Sequence, residues 1–362
     1  MSTVAIIGAG PAGRAAAAYL AHHGTAVSLW SPSGKSTHAL ALRARAGRGL
    51  LTYEGALQGE AEIGIINAPQ DLARFDVVLI VLPGHAYPAV LPLVMPHLHH
   101  EQTVIVSGAL SLAPLWIHER VGRPGARPVV ASWGTTLATA RNAGGASVFI
   151  NSLRTRFEVA AIPAAQSSAA LELCRALFGG RFTPVPNILA TALLNVNPVA
   201  HAAEVLPNLT RIEKGERWLL FDCLTPAAAR IGEAIDAERQ AIARGFGLEV
   251  RSIHEHTHLS YQVPLAGYAE MAAAIHAKYG GPPGPVTLEH RYVLEDVPYG
   301  LAFYEVLARI AQVPVPNLSA AITLISTAYG RDLRRNNPLL AELAIEHLTP
   351  RVLLARCAGA AR

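Results

Sequence analysis

The chain reads as an α/β protein: a doubly wound parallel sheet followed by a mostly α-helical second domain. The N-terminus supplies a strand, a glycine turn and a helix in succession, VAIIGAG at 4–10 running into PAGRAAAAYLAHHG. Short, fully apolar runs recur through the first half, as expected of parallel strands covered by helices on both faces. After the Gly- and Pro-rich stretch GGRFTPVPN at 179–187, long helical patterns take over. The 362 residues are too many for one ordinary core and divide into domains at 1–184 and 185–362.

The first run is apolar to its glycines, and the helix after it stops at Gly24. Further strands are expected at AVSLW (26–30), DVVLIVLP (76–83), TVIVSGA (103–109) and PVVASWG (128–134). Gly8, Gly10 and Gly13 form GxGxxG where the first strand becomes a helix, the fingerprint of a dinucleotide-binding Rossmann domain. Gly8 permits the tight turn, Gly10 lets the backbone approach a pyrophosphate, and Gly13 lets helix pack on strand. Pro11 and Ala12 open the helix, whose free N–H groups and partial positive charge attract phosphate. Pro83, closing the third predicted strand, is expected to join this cofactor-binding set.

Cofactor choice is read from an absence. NAD-selective sites place Asp or Glu about 20 residues after the fingerprint to hold the ribose 2′-hydroxyl. Here the second strand runs into Trp30-Ser31-Pro32-Ser33-Gly34-Lys35, and the first carboxylate in the chain is Glu54. A 2′-phosphate would meet hydrogen bonds from Ser31 and Ser33 and the charge of Lys35, or of Arg43 if the next helix brings it near. NADP is therefore preferred over NAD. The competing reading is a plain turn with solvated basic residues.

Hydrophobic residues make up 51% and charged residues 15%, yet no apolar run approaches the ~18 residues of a membrane span. The first apolar run breaks into glycines and has no basic segment before it, so it reads as a strand and not a signal peptide, and the cytoplasm is the expected location. Cys174, Cys223 and Cys357 are widely spaced with no CxxC pair, which suggests packing residues and neither disulfides nor zinc. A net charge of +4 suits anionic small molecules, while no basic, aromatic-studded stretch points to nucleic acid. Small-molecule substrates are the expected partners, and a homodimer the assembly considered.

In the second half, LLNVNPVAHAAEVL at 193–206 sets Asn197 and His201 four apart on one helix face. Pro198 deprives the Leu194 carbonyl of its helical partner, which predicts a kink. His201 alone would more often be a core histidine. The acid expected to partner it is Asp296, in HRYVLEDVPYG at 290–300, although Asp before Val297-Pro298 is also a good helix cap. A carboxylate on one ring nitrogen fixes the tautomer and leaves the other nitrogen for substrate. Arg291 can hold a substrate carboxylate or a cofactor phosphate by a two-pronged contact, or stand as a surface arginine. TPAAARIGEAIDAERQAIARGFG at 225–247 is a helix capped at Thr225 and stopped at Gly247, with Asp236, Glu238 and Arg239 in structural pairs. HEHTH at 254–258 lacks the zinc-protease spacing and reads as a solvated helix or loop, so no metal is expected.

GAGPAG near the start, RTRFEVAAIPA at 154–164, NVNPVAH at 195–201, IDAERQAIARGFGLE at 235–249 and HRYVLEDVPYG resemble the octopine/nopaline (opine) dehydrogenases, the bacterial octopine synthase branch especially. The resemblance covers nearly the whole chain. It implies a Rossmann domain followed by a helical substrate domain, with the active site closing between them. It also implies reductive condensation of a 2-oxo acid, pyruvate or 2-oxoglutarate, with the amino group of an L-amino acid. By that resemblance His201 matches the catalytic histidine, Asp296 its carboxylate and Arg291 an arginine of the cleft. Asn197, on the helix face of His201, is the further substrate-binding candidate. Family members using NAD carry an acid where this chain has Ser31. Two other readings stay open: a single-substrate 2-oxo acid reductase like ketopantoate reductase, and a non-catalytic NADP-binding sensor.

Overall fold

The computed structural model describes residues 2–43, 48–123 and 126–360. The chain forms two compact units, one of Met1–Leu82, Ala86–Ala192 and Arg356–Arg362, the other of Pro83–His85 and Leu193–Ala355. No helix among the described residues is long and apolar enough to cross a membrane.

The first unit is built on one sheet. Its strands are β1 (Val4–Ile7), β2 (Val27–Trp30), β3 (Arg48–Gly55), β4 (Gly59–Ile65), β5 (Val77–Ile80), β6 (Thr103–Val106), β7 (Val129–Trp133), β8 (Ala138–Asn142), β9 (Ser147–Leu153), β10 (Phe157–Ile162) and β11 (Phe182–Pro184). They lie in the order β11-β10-β7-β6-β5-β1-β2-β4-β3-β9-β8. The five strands expected from apolar runs form the contiguous parallel centre β7-β6-β5-β1-β2, the arrangement of a Rossmann domain. The sheet is mixed, not wholly parallel: β3 runs antiparallel to β4, β8 to β9 and β10 to β7. Among the lateral strands β3 and β9 escape a search for apolar runs because they bury only alternate residues, as in RGLLTYEG of β3.

The helix Pro11–His22 turns Ala15, Ala16, Ala17 and Ala18 toward the interior, each at most 2% exposed. Small side chains let it lie close to the sheet. Trp133 packs against Phe157, Phe178 and Phe182 with ring centroids 5.6, 5.1 and 5.2 Å away, and its indole N–H points at Cys174 Sγ at 3.4 Å. Cys174 is buried and its thiol is pushed up to about 12 by that burial, as befits a packing residue.

The second unit is helical, with Asn197–Val205, Pro226–Gly245, Ile253–Tyr261, Tyr268–Tyr279, Ala302–Ala311 and Pro316–Tyr329 among its helices. The predicted kink at Pro198 is a full break. One helix ends at Leu193, and a second starts at Asn197 with Pro198 in its first turn, where a missing N–H costs nothing. The Asn195 side chain stabilises the turn between them by accepting the Asn197 N–H at 3.1 Å. The long helix from Pro226 has Thr225 at its N-cap position, where its side chain makes no capping hydrogen bond, and Gly247 in a left-handed conformation just past its end.

The expected pairs on that helix need one correction. Asp236 and Arg239 do pair, at 2.7 Å and both essentially without exposure. Glu238 instead accepts the backbone N–H groups of Asn317 and Leu318, each at 2.8 Å, at the start of the helix Pro316–Tyr329. A carboxylate suits that positive helix end. The HEHTH segment lies in Ile253–Tyr261, opened by a reciprocal Ser252/Glu255 cap.

Candidate active site

In the first unit the three fingerprint glycines are distinguished by what a side chain would meet. A Cβ on Gly8, at φ +110°, would fall 2.1 Å from the Val81 carbonyl oxygen, and one on Gly13 would fall 1.8 Å from that of Gly8. A Cβ on Gly10 would meet nothing within 4 Å. Gly8 and Gly13 are thus spent on the turn and on helix-to-strand packing, while Gly10 faces open space. Gly10 is also the N-cap of the helix opened by Pro11 and Ala12, and no side chain caps that end. Those donors and that space fit a pyrophosphate.

After β2, Ser31 to Gly34 form a turn closed by the Gly34 N–H on the Ser31 carbonyl at 2.9 Å, and Lys35 opens the helix Lys35–Leu42. Ser33 and Lys35 are exposed, and no carboxylate stands in that helix's first turn. Arg43 is committed elsewhere, to Glu60 at 3.1 Å and Thr52 at 2.9 Å. Pro83 belongs to the second unit, in the segment Pro83–His85.

In the second unit His201 and Asp296, 95 residues apart in sequence, meet at 2.6 Å between Nδ1 and Oδ2. Both are buried, at 7% and 2% exposure. The Asp296 carboxyl therefore serves His201, and the helical cap expected of it is not made. The segment it leads, Val297–Leu301, is a π-helical turn, a distortion frequent at functional sites. Gly300 lets that turn lie against the His201 helix, since a Cβ there would fall 2.2 Å from Pro198 Cγ. The Tyr304 hydroxyl adds a second tie by donating to the Asn195 carbonyl at 2.5 Å. The Tyr292 ring stacks on the His201 imidazole with centroids 3.5 Å apart and planes 14° apart, fixing its orientation.

Burial holds the His201 imidazolium well below its ordinary range, aided by Arg291, and pushes the Asp296 carboxyl up to about 7. The two shifts belong to one coupled pair that shares its protons. With one proton added, on oxygen or on the ring, Nε2 presents an N–H. Without it, Nδ1–H points at the carboxylate and Nε2 presents a lone pair. The arrangement can give or take a proton at Nε2.

Arg291 opens the short helix Arg291–Leu294 and approaches Glu295 at 3.5 Å, with half of its side chain exposed. It is neither buried in a closed pair nor remote from the dyad. Asn197 is half-buried at the start of the His201 helix. Two acids escaped the sequence reading. Glu295 accepts the Gly84 N–H at 3.0 Å, and Glu204, 3% exposed, sits one helical turn after His201. Among the described residues no group of three or more His, Cys, Asp or Glu could hold a metal ion.

Residues 184–329 match the family model described as NAD/NADP octopine/nopaline dehydrogenase, alpha-helical domain. Residues 3–109 match that of the NAD-dependent glycerol-3-phosphate dehydrogenase N-terminus. The chain is 31% identical over 353 residues to the opine dehydrogenase of Arthrobacter sp. (strain 1C), covering 96% of each. It is 26% identical over 356 residues to protein ocs of Agrobacterium tumefaciens (strain Ach5), again covering 96% of each. Among solved structures, octopine dehydrogenase with NADH and L-arginine superposes with a TM-score of 0.80 at 16% identity, over 100% of this chain and 99% of its own, a likeness of fold.

Proposed function

Since the chain belongs to the octopine/nopaline dehydrogenase family, we propose that it is an NADP-preferring opine dehydrogenase whose proton chemistry is carried by His201 and Asp296. The reaction is the NAD(P)H-dependent reductive condensation of a 2-oxo acid, pyruvate foremost, with the amino group of an L-amino acid. The bound dinucleotide supplies the hydride that reduces the imine carbon. Gly10 and the helix end at Pro11 and Ala12 would cradle its pyrophosphate at the turn that Gly8 and Gly13 permit, and Ser31, Ser33 and Lys35 would hold its 2′-phosphate.

The observation that carries this reading is the buried 2.6 Å contact of His201 with Asp296. Condensation expels the oxo acid's carbonyl oxygen as water, which requires a proton on a poor leaving group. The Nε2–H of the protonated pair is suited to give it, and the pair regains a proton before the next turnover. Half-exposed Arg291 offers a planar fork for a substrate carboxylate, and Asn197 would supply a neutral polar contact.

The test is a matrix of 2-oxo acids against L-amino acids. NADPH oxidation is expected to be slow with pyruvate or 2-oxoglutarate alone and to rise sharply with a suitable amino acid. The product should have the mass of both substrates minus water plus two hydrogens. Reduction of one oxo acid to its 2-hydroxy acid, with no condensed product across the panel, would replace this reading with a single-substrate reductase. No turnover under any condition would leave a nucleotide sensor.

The acid-free turn after β2 yields a second expectation. NADPH should give a higher kcat/KM than NADH, and Ser31→Asp should narrow or reverse the preference, since a carboxylate there repels the 2′-phosphate. A wild-type enzyme using NADH equally well would sink the assignment of Ser31, Ser33 and Lys35.

A further inference from the structure

We infer that Glu204 receives the amino nitrogen of the amino-acid donor and takes its proton. The inference rests on the opine dehydrogenase reading and adds a residue to it. In the helix Asn197–Val205 the only polar side chains are Asn197, His201 and Glu204, and Asn208 follows in the next turn. Their spacing of four, three and four residues lays them along a single stripe. Val199, Ala202, Ala203 and Val205 around them are apolar and at most 2% exposed.

Along this stripe His201 is joined to Asp296, and the Asn208 amide donates to the Glu204 backbone carbonyl at 2.9 Å. The Glu204 carboxyl is different. It is 3% exposed, and its Oε2 has no hydrogen-bond partner. A buried acceptor left unpaired costs stability unless a ligand completes it. The complement of a buried carboxylate oxygen is a cationic N–H, and the reaction has one such group, the ammonium of the donor. Arg291 and Asp296, and the phenols of Tyr268 and Tyr292, are the ionisable groups whose fields reach it. Their presence places Glu204 in the electrostatic neighbourhood of the dyad.

The chemistry asks for such a group. An ammonium has no lone pair and cannot attack a carbonyl. Glu204 as carboxylate accepts one proton: the N–H bond breaks, its electron pair stays on nitrogen, and an O–H bond forms on the carboxyl. The free amine then attacks the carbonyl carbon of the oxo acid. Burial, with Asp296, pushes the Glu204 carboxyl well above its ordinary range, so it is the carboxylate fraction, stabilised by the entering ammonium, that accepts the proton.

Glu204→Gln and Glu204→Leu test this by initial rates of NADPH oxidation and by thermal melts. In both variants the KM for the amino donor should rise roughly tenfold or more, with the KM for pyruvate within about twofold of wild type. The leucine variant should melt no lower than wild type, since it removes an unpaired buried oxygen. A donor KM within about twofold of wild type in the glutamine variant overturns the inference, as does a lower melting temperature for the leucine variant, which would make Glu204 structural. A wild-type enzyme with no amino-acid-dependent turnover fails at the parent reading instead, and this inference falls with it.

Discussion

His201→Ala is expected to lower kcat by about 10² or more while leaving NADPH affinity nearly unchanged, because general acid/base catalysis typically contributes ~10²–10⁴. On the proposed reading the glycine turn and the Ser31–Lys35 segment of the first unit bind the nucleotide, whereas the imidazole serves the proton. Stopped-flow turnover and fluorescence titration of NADPH separate the two quantities. A variant with near-normal kcat would return His201 to the role of a core histidine.

Asp296→Asn adds a direction. The amide can still accept the Nδ1–H, so the ring stays in place, but it cannot take up the proton that the acid form of the pair carries. The acid form must then come from imidazolium alone, which burial and Arg291 hold well below its ordinary range. Turnover in the condensing direction should fall, and its pH optimum should move lower. An optimum that stays put would show that Asp296 only orients the ring.

The central sheet and the dinucleotide fingerprint were legible because their signals are local. Each central strand is a continuous apolar run, and each glycine answers to a contact a few residues away or on the next strand. The outer strands were not legible, because a half-buried strand such as Arg48–Gly55 mixes its apolar residues with charged ones. In the second unit the sequence supplied a histidine and an acid 95 residues apart, and no spacing rule joins such a pair. The pairing was expected from the two motifs as a hypothesis that the resemblance reinforced, and the fold sets it at hydrogen-bond distance. Pro198 announced an interruption, but only the structure shows a full break, with the Asn195 side chain accepting the Asn197 N–H in the turn. The stripe of Asn197, His201, Glu204 and Asn208 was countable in the sequence. What separates Glu204 from an ordinary surface glutamate is burial without a partner for Oε2, which only the packed structure reveals.

The same unit contains a buried charge whose removal should be felt across it. Arg239, with no exposed surface, pairs with Asp236 and donates to the carbonyls of Leu193 and Arg251. Asp236 in turn accepts the Ile253 N–H and the Gln240 amide, each at 2.8 Å. Breaking a buried pair by removing one partner costs ~3–5 kcal/mol, because the remaining charge is left uncompensated. Arg239→Met should therefore lower the melting temperature of the helical unit by roughly 6–20 °C, at ~2–4 °C per kcal/mol for a unit of this size. Differential scanning calorimetry measures it. Adding Asp236→Leu should recover part of the loss by removing the orphaned carboxylate, though the Ile253 N–H would then lack its acceptor. Leu193 is the last residue before the turn that leads to His201, so Arg239→Met is also expected to lower kcat at temperatures where the protein remains folded, by loosening that turn. Unchanged melting in Arg239→Met would show that the pair is no more than neutral to stability.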